Sequence, residues 1–218
     1  MLVQIYGITT IEDAVDVDHL EPDTLGIVLD EGIDTWDAVD ADTARRIVSV
    51  VTRARVVALS LSTDPDRILE TTRILDPDIV HLARAHLMDR AALDHVRTSI
   101  GPAQLMLTVP VEGAGSVSLA RRLCESADYV LLDTTHPESG IVGASGHTHD
   151  SRVSAEIVRA IEAPVILAGG LGPHNVQDAI TLVQPYGVDS ETRTSLDVDR
   201  RRKDVAKVEE FIALARAV

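Results

Sequence analysis

A single closed (β/α)8 barrel is the fold class the sequence predicts, and three observations predict it. Eight short runs rich in Val, Ile and Leu recur along the chain, a stretch with apolar residues at helical spacing follows most of them, and the seventh run leads straight into a glycine-rich turn. Near-continuous apolar strands belong to a sheet buried on both faces, and right-handed crossovers let eight such units close on themselves. A doubly wound open sheet is the alternative, and the strand count favours closure.

The first strand is expected from Val3 to Tyr6, with Thr10 capping a helix that starts IEDAV. Strands follow at Thr24 to Leu29 and Val56 to Leu61, and Asp64-Pro65-Asp66 opens the helix RILETTRIL. Further strands are expected at Ile79 to Leu82, Gln104 to Leu107 and Tyr129 to Asp133. The last two are Val165 to Ala168, whose helix begins after Pro173, and Tyr186 to Asp189. The charged segment Asp197 to Lys203 reads as a solvated loop before the final helix. No linker or low-complexity tract interrupts the pattern, so residues 1–218 are expected to form one domain.

Composition narrows the partners. A formal charge of -15, from 35 acidic against 20 basic residues, repels a phosphate backbone, so nucleic acid is excluded and a small molecule is favoured. No stretch approaches the roughly 18 uninterrupted apolar residues of a membrane span. The N-terminus MLVQIYGITTIEDA lacks a basic leader, which points to a cytoplasmic setting. Cys124 is the single cysteine, so no internal disulfide is possible, and a small buried hydrophobe is its expected role. Monomer and homodimer are both compatible with the pattern.

Two motifs carry chemistry. Ala168-Gly169-Gly170-Leu171-Gly172-Pro173-His174-Asn175 leaves an apolar strand with glycines that let backbone N–H groups approach an anion, in the place where barrels of this kind bind phosphate. Leu131-Leu132-Asp133-Thr134 ends another strand on an acid that would point into the barrel mouth. The loop after it, with Gly140, Gly143 and Gly146, reads as a substrate cover. His147 and His149, with His136 nearby, lack a carboxylate partner set, so no metal is expected.

Taken together, Tyr6-Gly7-Ile8-Thr9, Glu12-Asp13-Ala14, Leu25-Gly26-Ile27-Val28, Asp78-Ile79-Val80-His81-Leu82, Leu131-Leu132-Asp133-Thr134, Gly146 with Asp150, Ala168-Gly169-Gly170-Leu171, Gly187-Val188-Asp189 and Lys203-Asp204 resemble the phosphoribosylanthranilate isomerase family in order and spacing. The resemblance covers nearly the whole chain. It implies a barrel without metal or organic cofactor that performs an Amadori rearrangement on a small phosphorylated sugar-amine. An acid protonates the furanose oxygen to open the ring, and a base then removes the proton from the adjacent sugar carbon. By this resemblance the acid is Asp133, and Gly169 and Gly170 hold phosphate.

Three departures stand against the family pattern. The family's basic cysteine is replaced by Tyr6, and His81 stands in place of a glutamine, so Tyr6 or His81 is expected as the base. The loop after the second strand has Asp30, Glu31, Asp34, Trp36 and Asp37 where the family carries an arginine that grips the anthranilate carboxylate. A neutral or cationic amine stacked on Trp36 is expected there. Ser-Ser-Gly becomes Glu191-Thr192-Arg193, where Thr192 and Arg193 are expected to bind phosphate. Loss of the family base leaves two other readings open: a changed reaction on a sugar phosphate, such as a lyase or condensation step, or an inactive binding barrel.

Overall fold

A computed structural model describes the chain apart from residues 30, 31, 33, 34 and 135–149. Eight parallel strands follow one another around the barrel: β1 (Leu2–Ile5), β2 (Thr24–Leu29), β3 (Arg55–Ser60), β4 (Ile79–Leu82), β5 (Gln104–Pro110), β6 (Tyr129–Asp133), β7 (Val165–Leu167) and β8 (Gly187–Ser190). Pairing of β1 with both β8 and β2 closes the sheet. The first and last strands each sit one residue away from the expected span, and β5 runs on to Pro110. A two-residue parallel strand, Ala38–Val39, also extends the end of β2, and no periodicity announces it.

Eight α-helices are described outside the barrel: α1 (Ile11–His19), α2 (Ala41–Val48), α3 (Pro65–Leu75), α4 (Arg90–Ser99), α5 (Gly115–Cys124), α6 (Ser151–Ala160), α7 (Val176–Val183) and α8 (Val205–Arg216). Their starts obey local chemistry. Side chains of Thr10, Asp40, Asp64, Asp89, Asp150 and Asp204 each accept a first-turn N–H. None of these helices is long and apolar enough to cross a membrane. Cys124 ends α5 only partly buried, with its thiol donating to the Arg121 carbonyl, rather than sealed in the core.

Alternation along the strands divides the apolar residues in two. One cluster lies between strands and helices. A smaller one fills the barrel itself, with Val57, Ile79, Met106, Leu131 and Ile166 at its centre and Tyr6 and Ala83 above them. Inward positions therefore change from apolar to polar towards the strand C-termini, which is where the site lies.

The opposite end is pinned by a device repeated three times. Asp23, Asp78 and Asp128 each directly precede an even-numbered strand. Their carboxylates accept the N–H of Val3, Val56 and Leu105 on the strand before, each at 2.8 Å. Each fixes the register of a strand pair where the hydrogen-bond ladder begins.

Asp18, at the end of α1, makes the densest such contact. Its buried carboxylate accepts N–H groups of Thr52, Arg53 and Ala54 at 2.8–3.2 Å. Burial alone would raise its pKa, but the backbone bonds from Ala54, Thr52 and Arg53 outweigh it and hold the carboxyl below its ordinary value. A depressed folded pKa contributes stability above the ordinary carboxylate range, and that stability is lost as pH falls through the folded value. Asp18→Ala should cost about 2–3 kcal/mol in urea unfolding at pH 7, and the gap to the parent should shrink in acid.

Candidate active site

The C-terminal ends of the strands surround a cavity whose polar wall is made by Tyr6, Asp37, His81, Asp133, Asp189 and Glu191. Tyr6 follows β1, and its ring lies flat against Gly26 of β2. A Cβ at Gly26 would sit 2.2 Å from ring atoms, so only glycine admits the phenol here. The phenol oxygen is 2.6 Å from Nδ1 of His81 on β4, and Nε2 of the same ring is 2.6 Å from Oγ1 of Thr108 on β5.

Burial determines how these groups titrate. It drives His81 down to about 3, so the imidazole is neutral. Burial, then the nearby carboxyls of Asp189, Glu191 and Asp37, holds Tyr6 well above the usual phenol value. A protonated phenol donating to Nδ1, with the ring proton on Nε2 donated to Thr108, satisfies the whole row. The two expected bases thus occupy each other. Tyr6 resists becoming phenolate and His81 resists protonation, which weighs against either as the base.

The carboxyls behave differently. Asp133 ends β6, half-buried at the mouth. Burial pushes it up to about 7 despite the Thr134 N–H at 2.6 Å. Asp189, on β8, stands at the corresponding level two strands away, since Leu132 pairs with Leu167 and Leu167 with Val188. Burial, then the charge of Asp133, raises it to about 8, while Gln4 and Lys203 pull the other way. Its Oδ1 is buried without a hydrogen-bond partner. Glu191 is held well above its ordinary value by burial and by Asp37, and its Oε1 likewise lacks a partner. Asp189 is a cavity residue the sequence reading passed over. The signal was the same as for Asp133, an acid closing an apolar strand.

The segment expected to be a solvated loop is largely exposed before the last helix, and its end straps the loops after β1 and β2 together. Arg200 lies over the Trp36 ring, 4.9 Å from its centroid, and Arg201 donates to the carbonyls of Trp36 and Ala38. Arg202 pairs with Asp13 at 3.0 Å and Glu12 at 2.8 Å, while the Thr9 hydroxyl donates to the Arg201 carbonyl. Lys203 ends the run buried, its ammonium 3.1 Å from both the Glu191 carbonyl and the Ser195 hydroxyl. Burial lowers its pKa although Glu191, Asp189, Asp13 and Asp37 oppose this. The Trp36 ring lies under Arg200 and is absent from the cavity wall. Asp37, buried beside it, does line the cavity. Asp30 and Gly146 lie outside the described residues, as do His136, His147 and His149.

The expected phosphate groups meet at the rim. Gly169 and Gly170 take φ of +86° and +65°, which side chains rarely adopt. Asn175 braces the turn, accepting from Gly172 N–H at 2.9 Å and donating to the Gly170 carbonyl at 3.2 Å. The Ser190 hydroxyl donates to the Leu171 carbonyl at 2.7 Å, tying this turn to the end of β8. A short 3-10 turn follows at Thr192–Thr194, with Thr192 half-buried and Arg193 exposed.

Fold and site together define a barrel enzyme with paired carboxyls at the strand C-termini beside a braced glycine turn. The family model described as N-(5'phosphoribosyl)anthranilate (PRA) isomerase matches residues 3–213, and the chain belongs to that family. It is 36% identical over 216 residues to the N-(5'-phosphoribosyl)anthranilate isomerase of Methanocella arvoryzae, covering 98% of this chain and 97% of the relative. The corresponding protein of Methanopyrus kandleri is 34% identical over 219 residues, covering 99% of each. The phosphoribosyl anthranilate isomerase structure from Thermotoga maritima superposes with a TM-score of 0.81 at 25% identity, covering 99% of this chain and 98% of that one.

The contact between Tyr6 and Gly26 is directly testable. Gly26→Ala should destabilise the fold by about 1–3 kcal/mol in chemical denaturation. The same change in a Tyr6→Leu background should cost measurably less, because the ring it collides with is gone.

Proposed function

We propose that the protein is an aldose–ketose isomerase that converts an N-(5'-phosphoribosyl) amine to its 1-deoxyketose, with Asp133 and Asp189 as the acid–base pair. Asp133 is the observation that carries this reading: a carboxyl at the end of β6, inside the cavity, that burial holds near neutrality. A carboxyl protonated at pH 7 can give its proton to the furanose oxygen as the C1'–O bond breaks, leaving a protonated Schiff base. A second carboxyl then takes the C2' proton, and the electron pair forms the C1'–C2' double bond of the enolamine. Protonation at C1' and loss of the 2'-hydroxyl proton give the ketone, so atoms and charge balance without any co-reactant.

Asp189 suits the second role better than Tyr6 or His81, because one of its oxygens is unpartnered in the cavity and its carboxyl, raised to about 8, ionises within reach of neutral pH and then accepts a proton. Asp133 is raised by burial and Asp189 by burial and the charge of Asp133, so around neutrality the pair carries about one proton that can serve as acid while the ionised partner serves as base. In this reading the phosphate is taken by the Gly169-Gly170 turn with Thr192 and Arg193. Tyr6 and His81 serve as a fixed, uncharged wall. For assembly and location we propose a monomer or homodimer in the cytoplasm. This accords with few large apolar side chains exposed among the described residues, Leu87, Leu182 and Tyr186 being examples.

The test is to form N-phosphoribosyl amines in situ from ribose 5-phosphate and a panel of aryl amines, anthranilate included, and to follow the new ketone carbon by 13C NMR. The parent should accelerate conversion of at least one amine. Asp133→Asn and Asp189→Asn should each lower kcat/KM by ~100-fold or more, whereas Tyr6→Phe should cost far less. The pH profile should be bell-shaped about pH 7–8, falling in acid as the base protonates and in alkali as the acid ionises. Equal rates with and without protein for every amine would refute the reading.

A further inference from the structure

The strands on either side of β1 bring three polar side chains together in the barrel. Gln4 of β1 is paired in register with Asp189 of β8 on one side and with Thr24 of β2 on the other. Residues paired across a parallel sheet face the same way, so the three side chains enter the interior side by side. Gln4 and Thr24 are wholly buried there, among positions otherwise filled by apolar groups. The Thr24 hydroxyl donates to Oε1 of Gln4 at 3.0 Å, which leaves the amide nitrogen for the side of β8. Nε2 of Gln4 and Oδ1 of Asp189 are both buried without hydrogen-bond partners. A donor and an acceptor on paired residues are thus each unmet, although Gln4 already bears on Asp189 and favours its ionised form. A charged carboxylate draws an amide N–H into the stronger kind of hydrogen bond.

We infer that Gln4, oriented by Thr24, is the positioning residue for Asp189, its amide donating to the carboxylate that removes the C2' proton. This rests on the isomerase reading above and adds the group through which its base is held. The amide touches no reacting atom, so its effect passes through Asp189. Titratable and charged groups face Asp189 from the surrounding elements: Tyr6 after β1, Asp133 on β6, and Glu191 and Lys203 after β8. Asp133 and Glu191 oppose a negative charge on Asp189, Lys203 favours one, and Gln4 supplies a neutral donor from the adjacent strand.

Gln4→Met keeps the reach of the side chain and removes its donors, and Thr24→Val removes the hydroxyl that orients the amide. The double variant replaces both partners by apolar groups of similar shape, so it should fold even where Gln4→Met alone leaves the Thr24 hydroxyl unmet. With the phosphoribosyl amines of the panel above, Gln4→Met and the double variant should each lower kcat/KM ~10-fold at pH 7, the acidic limb of the profile moving up by about 1 pH unit. The sign follows from the lost donor: Asp189 then ionises at higher pH, so the deficit shrinks as pH rises. Thr24→Val alone should move the limb the same way by less, and should add nothing in the Gln4→Met background. The 13C signal of the Asp189 carboxyl, followed without substrate, should titrate at correspondingly higher pH in the same variants. Equal losses at every pH, or an unchanged Asp189 titration in the folded variants, with the parent active, overturn this inference and leave the isomerase reading intact. A parent that accelerates none of the amines overturns that reading and this role with it, whatever the carboxyl titration shows.

Discussion

The structure is organised around the burial of carboxyl groups at the mouth of the barrel with one buried cation to offset them. Desolvation opposes ionisation, so the inexpensive state keeps several of these groups protonated near neutral pH. Asp133 near 7 and Asp189 near 8 follow from that constraint. So does the depressed Lys203, which stays buried because carboxyls surround it and because its ammonium finds a carbonyl and a hydroxyl. Such an arrangement needs a rigid frame, and the frame is built from both ends. Asp18, Asp23, Asp78 and Asp128 fix the strand starts, where their side chains accept backbone N–H groups. The strap from Arg200 to Lys203 clamps the loops after β1 and β2 at the other end. Acidic residues thus serve in two ways, bonded to the backbone at one end, desolvated and titratable at the other.

Three of the residues read in the sequence as departures from the family pattern, Tyr6, Asp37 and Glu191, share one cavity. Tyr6 requires Gly26 and engages His81, and the charges of Glu191 and Asp37 are among those that keep the phenol protonated. Asp37 in turn helps hold Glu191 protonated. Changing one alone would leave a clash, an orphaned hydrogen bond or an uncompensated charge, which is a reason for them to occur together.

Much of the fold was legible because strands buried on both faces leave continuous apolar runs, and helical stretches between them leave capped, amphipathic ones. The additional strand Ala38–Val39 was not legible, since two residues carry no period. Asp133 could be read as an inward acid because it closes an apolar strand. Asp189 closes one in the same way, yet its place beside Asp133 depends on both strands pairing with β7 in matching register, which no single strand's pattern announces. The run of three arginines and a lysine looked solvated because charge runs usually are. The arginines do stay at the surface, but they and the buried Lys203 bond to partners near residues 9–13, 36–38 and 191–195 that no local pattern announces. The cover that Arg200 gives the Trp36 ring was equally illegible, because the two residues lie far apart in the chain.

The central claim is that Asp133 and Asp189 share a proton near neutrality. The most direct measurement is a pH titration by NMR of protein labelled with 13C at the aspartate side-chain carboxyls, with the two signals assigned through Asp133→Asn and Asp189→Asn. The account predicts two coupled transitions between about pH 6 and 9, with removal of either carboxyl lowering the apparent pKa of the other. Two independent transitions near the ordinary aspartate value of about 4, each unaffected by loss of the other residue, would contradict it.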